Sequence, residues 1–277
     1  TSIAVGILIH ERPDLFPDGL DQKIFTPRYL PPEAFPLNDP RKAEIKLGQL
    51  LAMSAGIRGN NPGFVSGKEV TLDPPGPDGW PASVDRNAYD TGMWCNPGEG
   101  YSYATASIHL ASMVLRHATG MELQQFIGER LAEPLGWGRW GYGYRGPEVR
   151  HTPGGGGIAL RAPDMLRFAY LLLREGRWRG RQIVPAKYVR HCSRRSPYNP
   201  HYPYSLQFTV NTDGHVAGVL RDAYWKAGSG GHCFYVAPSL NLVIWKLGGR
   251  DGQYDPGQTG LQPVYQNDGS REGWKPS

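Results

Sequence analysis

The sequence has 277 residues, with 30 Lys and Arg against 25 Asp and Glu, which gives a formal charge of +5. Its 39% hydrophobic and 20% charged residues exclude a disordered chain and a coiled coil. No apolar run approaches the roughly 20 residues that a membrane-spanning helix needs. The 37 Gly and 25 Pro residues indicate a globular chain that spends much of its length in turns and shaped loops.

The predicted elements begin with an apolar helix over residues 1–10, which starts without a cap or a charged leader. After a polar, Pro-rich stretch, residues 45–53 have the apolar face of a short helix that Gly56 ends. Residues 58–100 have little periodicity and predict long irregular loops. Loops of that length in a compact domain usually line a functional site.

Further along the chain, apolar residues at helical spacing are followed by the glycines or prolines that end helices. They predict helices over residues 107–118, 122–131 and 165–173. Strand signals are confined to the C-terminal half, over residues 205–210, 233–236 and 242–245. The last two flank a short turn and predict an antiparallel hairpin, and the tail from about residue 250 is polar and unpatterned. Helices that precede strands favour an α+β layering over a doubly wound parallel sheet.

Several sequence features could indicate a cofactor or nucleic-acid site, but none has the spacing or context that such a site requires. Three cysteines allow at most one disulfide bridge, and the eight histidines lack metal-ligand spacing. The four glycines at residues 154–157 follow no predicted strand, which argues against a dinucleotide site. The basic cluster from Arg174 to Arg181 predicts a solvated loop after a helix, with phosphate binding as the alternative. We therefore expect no metal, no organic cofactor and no nucleic-acid partner.

The remaining signals are five segments in a fixed order. They are residues 45–57 (IKLGQLLAMSAGI), 97–105 (PGEGYSYAT), 133–136 (EPLG), 156–165 (GGIALRAPDM) and 225–232 (WKAGSGGH). No single segment is specific, but in this order and spacing they resemble the serine β-lactamase-like hydrolases. That family includes class C β-lactamases, DD-peptidases and related esterases and amide hydrolases, and the resemblance spans about residues 1–250.

The resemblance implies an α+β fold of the β-lactamase/transpeptidase type, in which helices flank an antiparallel sheet. We expect one domain over residues 1–277, with a helical subdomain over about 45–150, a sheet-bearing part over about 151–250 and a polar tail over 251–277. The N-terminal strands of the family's sheet are expected to be missing from this sequence.

The resemblance also implies site residues. In the family, a serine attacks a carbonyl to form an acyl-enzyme, and a lysine and the tyrosine of a Y-x-N motif share the removal of its proton. Tyr103 matches that tyrosine, with Tyr101 as the register alternative, and Lys226 matches a cation that would favour the phenolate. A tyrosine packed at a helix start and a solvated lysine at a strand start are the structural alternatives. The substrate and oxyanion positions would be Thr105, Gly228, Ser229 and Gly230, with the Ser229 N–H binding the oxyanion.

Two departures from the family pattern affect specificity. Thr105 replaces the usual Asn, which reduces an amide's donor and acceptor to one hydroxyl. Ala227 replaces the Thr of K-T-G, which removes a hydroxyl that helps to hold a substrate carboxylate. Both changes favour an esterase or a peptidase-like enzyme over a dedicated β-lactamase.

The family's nucleophile motif, Ser-x-x-Lys, does not occur in the 277 residues. Ser54 and Ser229 have no lysine at the required helical spacing, and residues 1–6 resemble the stretch that follows the family's lysine. We therefore expect a fragment that begins just past its nucleophile and that forms no acyl-enzyme as printed. A cleavage product and a pseudoenzyme are the alternatives.

For the function, the sequence predicts a serine hydrolase that acts on a small-molecule or peptide-like ester or amide through an acyl-serine, with the nucleophile absent from this chain. The alternative is a non-catalytic pseudoenzyme or binding module that retains the substrate pocket. A periplasmic or secreted location would follow only from the family.

Overall fold

A computed structural model describes residues 1–59, 88–143, 151–228 and 231–247, together with the backbone of three short strands at 65–66, 263–265 and 271–273. Much of the loop predicted over 58–100, most of the tail over 251–277, and the candidate residues Ser229 and Gly230 lie outside the described residues. None of the helices within these ranges is long and apolar enough to cross a membrane.

The helices agree well with the predicted ones. They are α1 (Ser2–Glu11), α2 (Leu47–Leu51), α3 (Thr105–Thr119), α4 (Leu123–Ile127), α5 (Ala162–Leu173) and α6 (Ala186–Cys192). A π-helical turn at Gly128–Ala132 and a helical turn at Glu133–Leu135 extend α4. The predicted helix over residues 45–53 is shorter than expected, and α6 was not predicted.

The main sheet is antiparallel, with its strands in the order β10-β9-β8-β7. Its members are β7 (Thr209–Val210), β8 (Tyr224–Gly228), β9 (His232–Ala237) and β10 (Leu242–Lys246). Val236 of β9 lies opposite Val243 of β10, so the predicted hairpin is confirmed. Helix α5 packs against β9 and β10, which confirms the α+β layering.

Two strand predictions were wrong. Only the end of the strand expected over 205–210 is in the sheet, because both Gln207 nitrogens, backbone N and side-chain Nε2, donate to Leu51 O at 3.0 Å and tie this segment to α2. Strands also occur outside the three predicted segments, and two of them, β1 (Val65–Ser66) and β2 (Tyr101–Ser102), lie in the N-terminal half. The others include β3 (Gly141–Gly143), β4 (Ile158–Ala159), β11 (Pro263–Tyr265) and β12 (Arg271–Gly273). Strands of two or three residues are too short for an alternation of apolar and polar residues to show in the sequence.

The basic cluster is exposed to solvent after α5, as predicted, but it forms a hairpin of β5 (Arg177–Trp178) and β6 (Arg181–Gln182) in place of a loop. None of the three cysteines, Cys95, Cys192 and Cys233, forms a disulfide.

The core lies around α1, whose first seven residues are buried. A helix that is apolar on all sides must be surrounded by other elements, and α1 packs against α3 and α4. At the start of α5, the fully buried Asp164 accepts hydrogen bonds from Arg161 Nε at 2.9 Å, Arg167 Nη1 at 2.7 Å and the Gly138 backbone N–H at 3.1 Å. This network ties the corner after α4 to the helix that covers the sheet.

Candidate active site

Tyr103 and Lys226, 123 residues apart in the chain, meet in the structure. Lys226 Nζ donates a hydrogen bond to Tyr103 OH at 2.8 Å. The same nitrogen lies 4.7 Å from the centroid of the Tyr103 ring, within the range of a cation–π contact. A phenol and an ammonium that came from two separate sequence motifs therefore share one site.

The position of Tyr103 is set by the turn that ends α2. Gly98 N–H donates to Ser54 O at 2.7 Å, and Ser102 N–H donates to Met53 O at 3.0 Å. Met53 has a φ of 59°, a left-handed backbone conformation that is costly for a residue with a side chain. These contacts hold the segment before α3 against α2 and aim Tyr103 at the sheet.

Lys226 has a second phenol partner that the sequence analysis missed. Its Nζ donates to Tyr204 OH at 3.0 Å, and Tyr204 is only 2% exposed. Tyr204 comes immediately before the segment that was predicted to be a strand, and no spacing in the sequence connects it to either motif. The ammonium thus uses two of its three hydrogens on phenol oxygens.

The tyrosines around Lys226 have different surroundings. Burial raises the pKa of Tyr204 well above its usual value, and the neighbouring tyrosines add to that shift, so Tyr204 is a neutral hydroxyl at neutral pH. Tyr101, the register alternative, is 1% exposed and stacks on Tyr202 with ring centroids 4.3 Å apart. Burial likewise raises the pKa of Tyr101. Tyr103 is partly exposed, and of the two tyrosines in the segment 101–103 it is the one whose hydroxyl bonds to Lys226.

The N-terminal end of α1 reaches the same site. Thr1, the residue before α1, is close enough to Lys226 for their charges to interact. Thr1 Oγ1 donates to Gly154 O at 2.6 Å, and Gly154 N–H donates to Nδ1 of the buried His109 at 3.2 Å. The glycine-rich segment, residues 153–157, therefore joins α1 to α3 beside the site.

A partly exposed carboxylate holds the two residues that precede the glycine-rich segment. Glu122 accepts hydrogen bonds from His151 Nδ1 at 2.7 Å and from Thr152 N–H at 2.9 Å. Burial alone would raise the pKa of Glu122, but these hydrogen bonds and the charge of Arg116 lower it below its usual value. Within the described ranges, no cluster of three His, Cys, Asp or Glu residues could hold a metal ion.

Of the four predicted substrate and oxyanion residues, the structure describes Thr105 and Gly228. Thr105 is the first residue of α3, and the glycine-rich segment passes its methyl group so closely that a Cβ on Gly155 would lie 2.5 Å from it. Gly228 is the exposed last residue of β8, opposite His232. Ser229 and Gly230 follow Gly228 and lie outside the described residues.

The comparisons with known proteins agree with this architecture. Among solved structures, the chain is similar to the "putative 6-aminohexanoate-dimer hydrolase" from Bacillus anthracis, with 18% identity and a TM-score of 0.67, over 89% of this chain and 65% of that one. EstCE1, a hydrolase with promiscuous acyltransferase activity, matches with 18% identity and a TM-score of 0.64, over 89% and 76% of the two chains. A penicillin-binding protein homologue from Caulobacter crescentus matches with 17% identity and a TM-score of 0.60, over 87% and 74%.

These likenesses show a shared fold, and the chain spans about two thirds of the length of the Bacillus anthracis protein. No curated protein sequence matches. A family described as Beta-lactamase matches residues 13–259, which is most of the sequence. The chain therefore belongs to the beta-lactamase family.

Proposed function

We propose that the protein hydrolyses an ester or amide through an acyl-serine, with Tyr103 and Lys226 at the reacting centre. The observation that carries this proposal is the 2.8 Å hydrogen bond from Lys226 Nζ to Tyr103 OH. A tyrosine accepts a proton from a serine only as a phenolate, and a cation in contact with its oxygen favours that form.

The reaction has two halves. In the first, a serine oxygen attacks the substrate carbonyl carbon while Tyr103 takes the hydroxyl proton, and the tetrahedral intermediate collapses as Tyr103 returns that proton to the leaving alcohol or amine. In the second, water attacks the acyl-serine, and Tyr103 passes the water proton to the serine oxygen as the acid product leaves. The Lys226 side chain, which donates to Tyr103 OH, offsets the negative charge on Tyr103.

The serine is the part of this scheme that the 277 residues do not supply in its usual motif, because no serine has a lysine three positions later. Thr105 and Ala227, in place of Asn and Thr, favour a small-molecule or peptide-like ester or amide over a β-lactam.

A fluorophosphonate probe tests the proposal on protein expressed from its complete reading frame. We expect mass spectrometry to find one adduct on a serine, and we expect both Tyr103→Phe and Lys226→Met to slow labelling by about 100-fold or more, as for the loss of a general base. Tyr29→Phe is the matched control, because Tyr29 OH donates to Leu15 O at 2.6 Å and the change removes a buried phenol hydroxyl elsewhere.

Two results would contradict the proposal. One is a folded wild-type protein that acquires no adduct and hydrolyses no p-nitrophenyl ester. If an amide or ester ligand stabilises such a protein, the protein is a binding module. The other is a Tyr103→Phe protein that is labelled as fast as the wild type.

A further inference from the structure

The second phenol on Lys226 has no place in the mechanism above. We infer that Tyr204 is a positioning residue for this site, whose hydroxyl holds the Lys226 ammonium against Tyr103. The inference rests on the proposed function for its catalytic meaning, but the contact itself can be measured without any hydrolysis.

Lys226 needs such a partner because only one end of its side chain is fixed by the sheet. Its backbone is held by the pairing of β8 with β9, where it lies opposite Phe234. Beyond Cβ, a lysine has a flexible stem and a compact charge with three donors. Tyr103 at 2.8 Å and Tyr204 at 3.0 Å give the ammonium two acceptors from different segments, and these define where the nitrogen sits.

Tyr204 is itself held firmly, which a positioning group requires. Its N–H donates to Tyr202 O at 2.7 Å, and its backbone forms an isolated bridge with Thr209. Its ring lies edge-on to the Tyr103 ring, with centroids 6.4 Å apart and planes at 85°. Tyr101 packs against it at 5.7 Å.

The chain just after Tyr204 is tied down as well. Gln207 has a φ of 78°, a strained backbone conformation for a residue other than glycine, and two of its nitrogens donate to Leu51 O at 3.0 Å. The segment that carries Tyr204 is therefore anchored to α2, the same helix whose C-terminal turn positions Tyr103. Both phenols are placed from one element, and their spacing is fixed before substrate arrives.

The two phenols have complementary tasks. Tyr103 alternates between phenolate and phenol in the proposed cycle, so its attraction for the ammonium changes at each proton transfer. The buried Tyr204 remains a neutral hydroxyl and accepts the same hydrogen bond throughout. Lys226 is thereby kept in place while Tyr103 is protonated, and it is ready when the phenolate forms again.

The test that needs no activity follows the Lys226 ammonium by NMR in protein labelled with ¹⁵N-lysine. The signal is assigned by its loss in Lys226→Arg, and the exchange of its hydrogens with water is measured. A hydrogen bond contributes about 1 kcal/mol, so we expect Tyr204→Phe to speed exchange about fivefold. Tyr29→Phe, which removes a buried phenol hydroxyl bonded to Leu15 O, leaves the rate within twofold.

Two outcomes of this experiment overturn the inference. One is a Tyr204→Phe exchange rate within twofold of the wild type. The other is a wild-type Lys226 signal that exchanges too fast to be seen. Should Tyr204→Phe fail to fold, nuclear Overhauser contacts from the Lys226 ammonium to a ¹³C-labelled Tyr204 ring in the wild type decide the same question, because the nitrogen lies 5.5 Å from the ring centroid.

A kinetic measurement then tests the catalytic meaning. We expect Tyr204→Phe to lower kcat for a p-nitrophenyl ester about 5- to 50-fold and to leave KM within twofold, since Tyr204 acts through Lys226 and not on substrate. An equal loss in Tyr29→Phe, or a change in KM alone, contradicts a positioning role. If the protein labels no serine while the NMR contact holds, the proposed function fails and the Tyr204–Lys226 contact stands.

Discussion

Replacing Gly154 by Ala tests how tightly the glycine-rich segment is packed beside the site. Gly154 N–H donates to His109 Nδ1 at 3.2 Å. A Cβ at residue 154 would lie 2.5 Å from both Cβ and Oγ of Ser112 and 2.8 Å from the carbonyl oxygen of Ile108. Neither neighbour can give way easily, because the serine side chain is short and the carbonyl belongs to the α3 backbone.

The expected magnitude follows from three contributions. Overpacking of this kind costs about 1–3 kcal/mol. If the segment moves outward instead, it loses the hydrogen bond to His109, which costs about 1 kcal/mol. The substitution also lowers the conformational entropy of the unfolded chain, which stabilises the folded state by about 0.4–1 kcal/mol. With the entropy gain subtracted from the overpacking cost, we expect Gly154→Ala to lower the free energy of unfolding by about 0.5–2.5 kcal/mol.

The assay is urea unfolding at neutral pH, followed by tryptophan fluorescence. Gly156→Ala is the matched control in the same run of glycines, because a Cβ there meets nothing within 4 Å. We expect this control to stay within about 0.5 kcal/mol of the wild type. If Gly154→Ala proves as stable as Gly156→Ala, the segment is not packed against α3 as the structure has it, and the reasoning fails.

Two further predictions concern hydrogen-bonded carboxylates, Asp164 and Glu122. Asp164→Ala should destabilise the fold by about 2–4 kcal/mol in thermal unfolding, because it removes a fully buried carboxylate that accepts from three donors. Arg161→Ala, at the half-exposed end of the pair, should cost about 1 kcal/mol or less. Equal losses in the two variants would contradict this prediction. Because the pKa of Glu122 is lowered on folding, its stabilisation is present above the usual value of 4.5 and is lost as pH falls through the folded value. Glu122→Gln should therefore flatten the fall in urea midpoint below about pH 5, and an unchanged slope would refute the His151 contact as its cause.

Much of the secondary structure could be predicted from the sequence because its signals are local. The periodicities of α3 and α5 and the turn between β9 and β10 each repeat within about ten residues. Helix α6 has seven residues and β7 only two, which is too little for a pattern to stand out. Tertiary hydrogen bonds decide such segments instead, as Gln207 shows by bonding to Leu51 O rather than joining the sheet.

In the candidate site, too, some features were predictable from local motifs and others depend on tertiary contacts. The resemblance to the family's Y-x-N and K-T-G motifs was enough to single out Tyr103 and Lys226. The resemblance implied that these two side chains would meet, whereas the second phenol of Tyr204 and the contact of Gly154 with His109 were not predictable.

By itself, the sequence determined the family, the α+β layering and the two residue types that carry the proposed chemistry, because short-range spacing encodes them. Only the tertiary structure decided which of the neighbouring tyrosines bonds to Lys226 and which additional side chain holds that lysine in place. The physical reason is that such contacts join residues from separate elements, and their geometry depends on how a buried core packs all of its side chains at once.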